Sequence, residues 1–268
     1  MLALSGTAHA ADVAHGEVLA GVAGCASCHT ADDGAPYAGG YAIETKFGTF
    51  YGPNITPDPK DGIGAWTEDD FVRAMRRGRS PKGHLFYPAF PYTAFTEMTD
   101  GDLADLWAYL RTLKPVAQPD EPHDLHGIYK ARGLVMAFWR MVGFHPGPYE
   151  SDPDRSEQWN RGAYLVQAVG HCGECHTPRN GIGVPKKDET FAGFEGPPEK
   201  APNITPSDDG IGRWSHEDVL SFLQLGILPN GDFVGGGMGH VVYEGTSKLS
   251  ADDREAIATY LASVPPRP

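Results

Sequence analysis

Two short cysteine motifs are the residues of this sequence best suited to carry chemistry. Each has the order Cys-x-x-Cys-His, and the copies are Cys25, Cys28 and His29 in GCASCHT and Cys172, Cys175 and His176 in HCGECHT. Together they use all four cysteines, so no thiol is left for a separate disulfide. Two thiols followed by an imidazole suit three chemistries: a thioredoxin-like redox pair, half of a zinc site, or the covalent attachment of a haem.

The surroundings of the motifs decide among these chemistries. A thioredoxin-like site uses one Cys-x-x-Cys pair in a βαβ unit, whereas here the pair occurs twice in segments with helical patterns. Structural zinc takes four ligands from one compact region, and a four-cysteine site would leave both histidines unexplained. Cys-x-x-Cys-His is the attachment signature of c-type haem, whose vinyl groups react with the thiols. We therefore expect two covalently bound haem c groups, with His29 and His176 as proximal iron ligands.

The chain also repeats a longer segment. GPNITPDPKDGIGAWTEDDFVRAMRRG at 52–78 corresponds to APNITPSDDGIGRWSHEDVLSFLQLG at 201–226, and each copy is followed by a helical pattern that contains a Tyr-Leu pair. Each copy also has a hydroxyl residue three positions before an aspartate, which resembles a capping box at a helix start. A repeat of this length predicts two tandem domains, each with three helices and long loops.

The repeat sets the expected domain boundaries. The first domain is predicted at 12–114, the second at 158–268, and a linker at 115–157. The linker contains the apolar segment GLVMAFWRMVGF at 133–144. We expect this segment to form a helix packed across both domains; an anchor for a membrane or a partner is the alternative.

Composition and charge exclude some classes of function. The 268 residues include 22 Lys and Arg against 35 Asp and Glu, a net charge of −13. Nucleic-acid-binding proteins carry basic patches, so this composition argues against nucleic-acid binding. An acidic chain favours partners with a basic face. No apolar run approaches the roughly 18 residues of a transmembrane helix. Residues 1–11 resemble the end of a secretory signal peptide that lacks its basic start, which predicts export to the periplasm.

The motifs together resemble those of a known family. PNITPD, GIGAWT, HLFYPAFPYTAF, QWNRGAYL and HCGECHTPRN are similar to segments of the cytochrome c subunits that serve membrane-bound periplasmic dehydrogenases for alcohols and related substrates. The likeness covers nearly the whole chain. It implies a mainly α fold of two tandem class I cytochrome c-type domains with loop-rich connections. Such subunits often carry a third haem domain and a C-terminal membrane helix, and we expect neither within these residues.

Methionines are the expected sixth ligands, because a methionine opposite the histidine raises the potential and suits electron transfer. Met238, in the glycine-rich GGGMGHVV, is the only methionine after the second motif; a core methionine is the alternative. Only Met75 and Met98 lie between the first motif and the linker. Met75 aligns with Leu223 of the repeat, which cannot bind iron, so Met98 is the expected ligand of the first haem.

The resemblance leaves this ligand open and adds two prolines. In related subunits YPAFPY often reads YPAMPY, which puts the ligand where this chain has Phe90. Either Met98 has taken over, or the first iron is open or bound by a histidine such as His84. In mono-haem cytochromes the proline of a GPN-like turn offers its carbonyl to the proximal histidine. Pro53 and Pro202 resemble that proline, and a plain turn is the alternative.

Electron transfer is the implied function. The protein is expected to take electrons from a periplasmic dehydrogenase and pass them through two haems to an oxidase or a small cytochrome, without bond chemistry of its own. A di-haem redox enzyme, such as a peroxidase with one open haem iron, is the alternative. Carbon monoxide binding to the reduced protein separates the two, because only an open iron takes the ligand.

Overall fold

Helices connected by long loops make up most of the chain, and the expected mainly α architecture is confirmed. The computed structural model of the protein describes residues 10–196 and 200–267, so the expected signal-peptide remnant at 1–11 lies outside the described residues except for its last two positions. The first half contains α1 (Val13–Val22), α2 (Cys25–His29), β1 (Ala42–Thr45), β2 (Gly48–Tyr51), α3 (Glu68–Arg77), α4 (Tyr92–Phe95) and α5 (Asp100–Thr112). The linker contains β3 (Asp124–Leu125), a 3₁₀ turn at Gly127–Lys130 and α6 (Arg132–Gly143).

The second half repeats the helical order of the first. Its elements are α7 (Glu157–Tyr164), a π-helix at Leu165–Val169, α8 (Gly173–His176), a 3₁₀ turn at Lys187–Glu189, α9 (His216–Leu225), α10 (Gly236–His240), a π-helix at Val241–Gly245, a 3₁₀ turn at Thr246–Lys248 and α11 (Ala251–Ser263). Helices α1, α2, α3 and α5 therefore correspond to α7, α8, α9 and α11.

Capping boxes start the middle helix of each half, as the sequence predicts. At α3 the Thr67 hydroxyl accepts a 3.2 Å hydrogen bond from the Asp70 N–H, and the Asp70 carboxylate accepts one of 3.1 Å from the Thr67 N–H. Ser215 and Asp218 do the same at α9. Each box satisfies main-chain N–H groups that lack a partner inside the helix. The repeated residues therefore fix the same helix start twice.

The first and last long helices of each half cross at a glycine. A Cβ on Gly16 of α1 would lie 2.1 Å from the carbonyl oxygen of Asp105 in α5, and a Cβ on Gly162 of α7 would lie 1.9 Å from that of Ala256 in α11. Only a residue without a side chain permits this approach. The cluster packed around the crossings includes Leu19, Leu103, Leu106, Ala163, Ile257 and Leu261.

A π-helix keeps the two cysteine motifs in equivalent places. Nine positions separate the crossing glycine Gly16 from Cys25, but ten separate Gly162 from Cys172. The extra residue is taken up where α7 continues as a π-helix over Leu165–Val169. A π-turn accommodates one inserted residue, and such turns are frequent at functional sites.

A short sheet, which sequence reasoning did not find, ties the linker to the first half. β1 and β2 form an antiparallel hairpin, and β3 pairs with β2 through Gly48 and Leu125. Strands of two to four residues are too short to show a two-residue alternation. The sheet brings the chain after α5 back over the first half before α6 begins.

Helix α6 packs across both halves, as the sequence predicts. Met136 and Trp139 are buried against a cluster from the first half that contains Phe50, Tyr87, Tyr92 and Leu125. The Trp139 indole donates a 3.0 Å hydrogen bond to the Ile182 carbonyl in the second half. Among the described residues, no helix has both the length and the apolar run that crossing a bilayer requires.

Candidate functional site

Each cysteine motif forms a single helical turn that begins after a left-handed residue. Gly24 has φ 62° before α2, and His171 has φ 37° before Cys172. In one helical turn, residues three apart lie on the same side, so each pair of thiols faces one way. The proximal histidine follows directly after the second thiol. Both motifs therefore present two thiols and one imidazole from a single turn of backbone.

A proline carbonyl holds the imidazole of each motif. The distance from Nδ1 to the carbonyl oxygen is 2.7 Å for His29 and Pro53 and also 2.7 Å for His176 and Pro202. A carbonyl oxygen can only accept, so Nδ1 carries the proton and donates. The lone pair of each neutral ring is then on Nε2. This tautomer is the one in which Nε2 can bind a metal ion, with the carbonyl fixing the orientation of the ring.

Two asparagines that sequence reasoning missed shape the proline turns. Asn54 Oδ1 accepts a 2.9 Å hydrogen bond from the Thr56 N–H, and Asn203 Oδ1 accepts one of 2.8 Å from the Thr205 N–H. Such side-chain turns hold the backbone in one conformation. The Nδ2 groups donate to main-chain carbonyls that follow the last helix of each half, those of Val116, Gln118 and Arg267. The recurrence of Pro-Asn-Ile-Thr in both copies of the repeat could have identified these asparagines from the sequence.

Burial keeps the thiols protonated and the imidazoles neutral. It raises the pKa of Cys25 to about 12 and that of Cys172 to about 12. A redox-active cysteine needs a depressed thiol pKa, so these raised values disfavour a thioredoxin-like pair. Burial also lowers the pKa of His29 and of His176, although the proline carbonyls oppose this by stabilising the charged ring. Neutral imidazole is the form that binds iron.

These side chains fit a c-type haem. Each motif supplies two thiols on one side of a helical turn and an imidazole whose Nε2 is available, and each carbonyl partner stands at hydrogen-bond distance. The fit is found twice, in equivalent parts of the repeat. A single zinc ion or a single disulfide accounts for neither histidine.

The candidate sixth ligands have different surroundings. Met98 is fully buried (0% exposed) in the hydrophobic cluster against which Cys25 also packs, directly before the N-cap of α5. Met75 is buried in α3 within the same cluster. Phe90 packs partly buried against that cluster. Met238 lies half-buried in the short helix α10.

The two motifs meet where the halves of the chain pack together. The His171 Nε2 atom is 3.1 Å from the carbonyl oxygen of Ala23, two residues before Cys25. The ring of His171 also packs edge-on against Phe95, with 5.2 Å between centroids. Beside it, the Thr93 hydroxyl donates a 2.7 Å hydrogen bond to Glu174, inside the second motif.

The proximity extends to the thiols. Burial raises the pKa of Cys28 to about 11, and the nearby thiol of Cys175 contributes in the same direction. One cysteine of each motif therefore lies within electrostatic range of the other motif. His84, the histidine alternative for the first iron, is exposed. The Arg179 guanidinium pairs with the carboxylate of Glu174, inside the second motif.

Comparison with known proteins agrees with this geometry. The Cytochrome c family matches residues 13–114. A di-haem cytochrome c-type protein of Cereibacter sphaeroides is 42% identical over 95% of this chain and 86% of its own length. The sites and these matches define a haem c-binding, c-type cytochrome. The chain belongs to the cytochrome c family.

Other relatives are named as cytochrome subunits of dehydrogenases. The cytochrome c subunit of alcohol dehydrogenase (quinone) of Gluconobacter oxydans is 40% identical over 98% of this chain, which spans 58% of that subunit. The fructose dehydrogenase cytochrome subunit of Gluconobacter japonicus is 39% identical over 97% of this chain, which spans 54% of that protein. The chain thus corresponds to only part of these longer relatives.

Proposed function

We propose that this protein is a periplasmic di-haem cytochrome c that transfers electrons from a dehydrogenase to an oxidase or a small cytochrome. The observation that carries the proposal is the repeated unit of a Cys-x-x-Cys turn and an imidazole held at 2.7 Å by a proline carbonyl. Two such units support two covalent haems, one in each predicted domain, at 12–114 and 158–268. The protein itself then makes or breaks no substrate bond.

Each residue of the proposed sites has one role. Cys25 and Cys28 form thioethers to the first haem, and Cys172 and Cys175 form those to the second. His29 and His176 bind iron through Nε2. Met98 and Met238 would supply the sixth ligands of the two irons. A haem iron, when bound, carries one electron by cycling between the ferrous and ferric states.

The chain tunes and shields that chemistry. By accepting hydrogen bonds from Nδ1–H, the carbonyls of Pro53 and Pro202 raise the basicity of the imidazoles and hold the rings in one orientation. Thioether ligation at Met98 and Met238 favours the reduced state and therefore a high potential. Closed ligation also keeps small molecules off the iron, which suits electron transfer and disfavours a peroxidase.

Contact between the motifs supports transfer inside the chain. His171 and Ala23 join the two attachment turns at 3.1 Å, and Cys28 lies within electrostatic range of Cys175. Haems held at these two motifs would lie near each other, which supports electron exchange between them without a third carrier. Entry from a dehydrogenase is supported by the names of relatives that are cytochrome subunits of alcohol, fructose and gluconate 2-dehydrogenases. A net charge of −13 supports steering of partners with a basic face.

The test combines a redox titration with ligand binding on the haem-loaded protein. Two one-electron transitions are expected, and carbon monoxide should leave the spectrum of the reduced protein unchanged. The rate of electron exchange with a basic small cytochrome should fall as ionic strength rises, because salt screens the attraction. Rapid carbon monoxide binding at one haem, together with peroxide reduction, would favour the peroxidase instead.

A further inference from the structure

One face of α6 exposes bulky apolar side chains to solvent. Leu134 is 84% exposed, Phe138 61% and Met141 80%. Their spacing of four and then three residues puts them on one side of the helix. Val142 near the end of α6 and Ile128 in the 3₁₀ turn before it are also exposed apolar residues. Single exposed apolar residues are ordinary, but a contiguous group of this kind marks an interaction surface.

The core does not require this face. The opposite side of α6 carries Met136 and Trp139, which are 3% and 5% exposed and complete the packing against the first half. Arg140 fixes the helix further by donating a 2.7 Å hydrogen bond to the Arg77 carbonyl. The helix is therefore held in place on one side. On the other side the α6 ridge, formed by Leu134, Phe138 and Met141, projects into solvent.

The charge of this segment is opposite in sign to that of the chain as a whole. Between Asp124 and Glu150 the chain has three basic residues, Lys130, Arg132 and Arg140, and no acidic residue. The whole chain has a net charge of −13. Residues 71–96 likewise have five basic residues and no acidic one, and the hydrogen bond from Arg140 to the Arg77 carbonyl joins them to α6, so a negatively charged surface attracts this part of the molecule.

We propose that the α6 ridge binds the surface of an anionic lipid bilayer. An apolar helix face beside basic residues lies in the headgroup region, where apolar side chains enter the acyl boundary and cations meet anionic headgroups. A convex ridge of Leu134, Phe138 and Met141 needs no complementary pocket, which favours a bilayer over a folded partner. The helix has 12 residues, about 18 Å of length, so it lies on the bilayer and does not cross it.

The test is flotation of the haem-loaded full chain with vesicles. Phosphatidylcholine vesicles containing about a quarter phosphatidylglycerol should bind the protein, and pure phosphatidylcholine should bind it weakly. The triple variant Leu134→Ser, Phe138→Ser and Met141→Ser should reduce binding roughly ten-fold or more, because the inserted apolar area is lost. Lys130→Gln should weaken binding only to the anionic vesicles.

Matched controls keep the outcome decisive. Phe233 and Tyr243 are 73% and 75% exposed in the second half, and replacing both by serine should leave vesicle binding unchanged. The α6 side chains are exposed, so the triple variant should keep its melting temperature and haem spectrum. Absence of binding by the unmodified protein, or equal loss in the control variant, would overturn the proposal. A dimer that the triple variant converts to a monomer would instead assign the ridge to a second copy. The redox titration is independent of all these outcomes.

Discussion

Replacing Met98 with leucine separates an iron ligand from a core residue. Met98 is fully buried, so Met98→Ala would remove packing worth about 2–5 kcal/mol whether or not the sulfur binds iron. Leucine has a similar volume and is expected to cost less than about 1.5 kcal/mol. The leucine variant therefore keeps the core and removes only the thioether.

The expected spectroscopic change follows from the number of proposed ligands. Met98 and Met238 each contribute one thioether–iron bond, so Met98→Leu should remove half of the weak absorption band at the red end of the spectrum. The potential of one haem should also fall, because methionine ligation raises it. Absorption of the oxidised protein and a spectroelectrochemical titration measure the two effects.

Met75→Leu is the matched control. Met75 is 4% exposed and belongs to the same hydrophobic cluster as Met98, so the substitution imposes a similar packing change. It should leave the band and both potentials unaltered. Retention of the full band in Met98→Leu, or its loss in Met75→Leu, would refute the assignment of Met98.

Three other perturbations test the fold and the contact between the halves. Gly16→Ala should destabilise the protein by about 1–3 kcal/mol or more in urea unfolding, since its Cβ would meet a carbonyl at 2.1 Å. Its control is Gly133→Ala, whose Cβ would have no atom within 4 Å and which should stabilise the protein by about 0.4–1 kcal/mol. Hydrogen bonds from Thr67 lower the pKa of Asp70. The stabilisation by this carboxylate is therefore present above its ordinary pKa and lost as pH falls through the lowered folded value. Asp70→Asn should thus be less stable than the parent at neutral pH, with a difference that shrinks as the medium becomes strongly acidic; an unchanged difference would contradict this. His171→Gly removes the 3.1 Å contact with Ala23 and should slow electron exchange between the haems in pulse radiolysis, with both potentials retained; an unchanged rate would count against the contact.

Local signals in the sequence were sufficient for the start of the middle helix of each half. Hydroxyl residues three positions before an aspartate predict the starts of α3 and α9, and capping boxes are found there. The internal repeat predicts that the two halves share one helical order, which the structure also has. These features depend on residues close together in the chain, so a single sequence contains them.

Features that depend on distant residues were not predictable. The π-helix at Leu165–Val169 compensates for one inserted residue, and its place is set by the crossing at Gly162 and by the motif that follows. The contact of His171 with Ala23 joins residues 148 positions apart. Asn54 stands in a visible repeat, but its bonds to the linker carbonyls required the folded chain. The ligand roles of Met98 and Met238 stay predictions, since they concern a bound group.

The mass of the mature, denatured protein tests the central claim most directly. Two haems attached through Cys25, Cys28, Cys172 and Cys175 predict the polypeptide mass plus two haem groups, retained after acid-acetone extraction. Replacing Cys172 and Cys175 by alanine should leave the polypeptide mass plus one haem group. Loss of haem on extraction, or a single haem in the unmodified protein, would contradict the proposed di-haem cytochrome c.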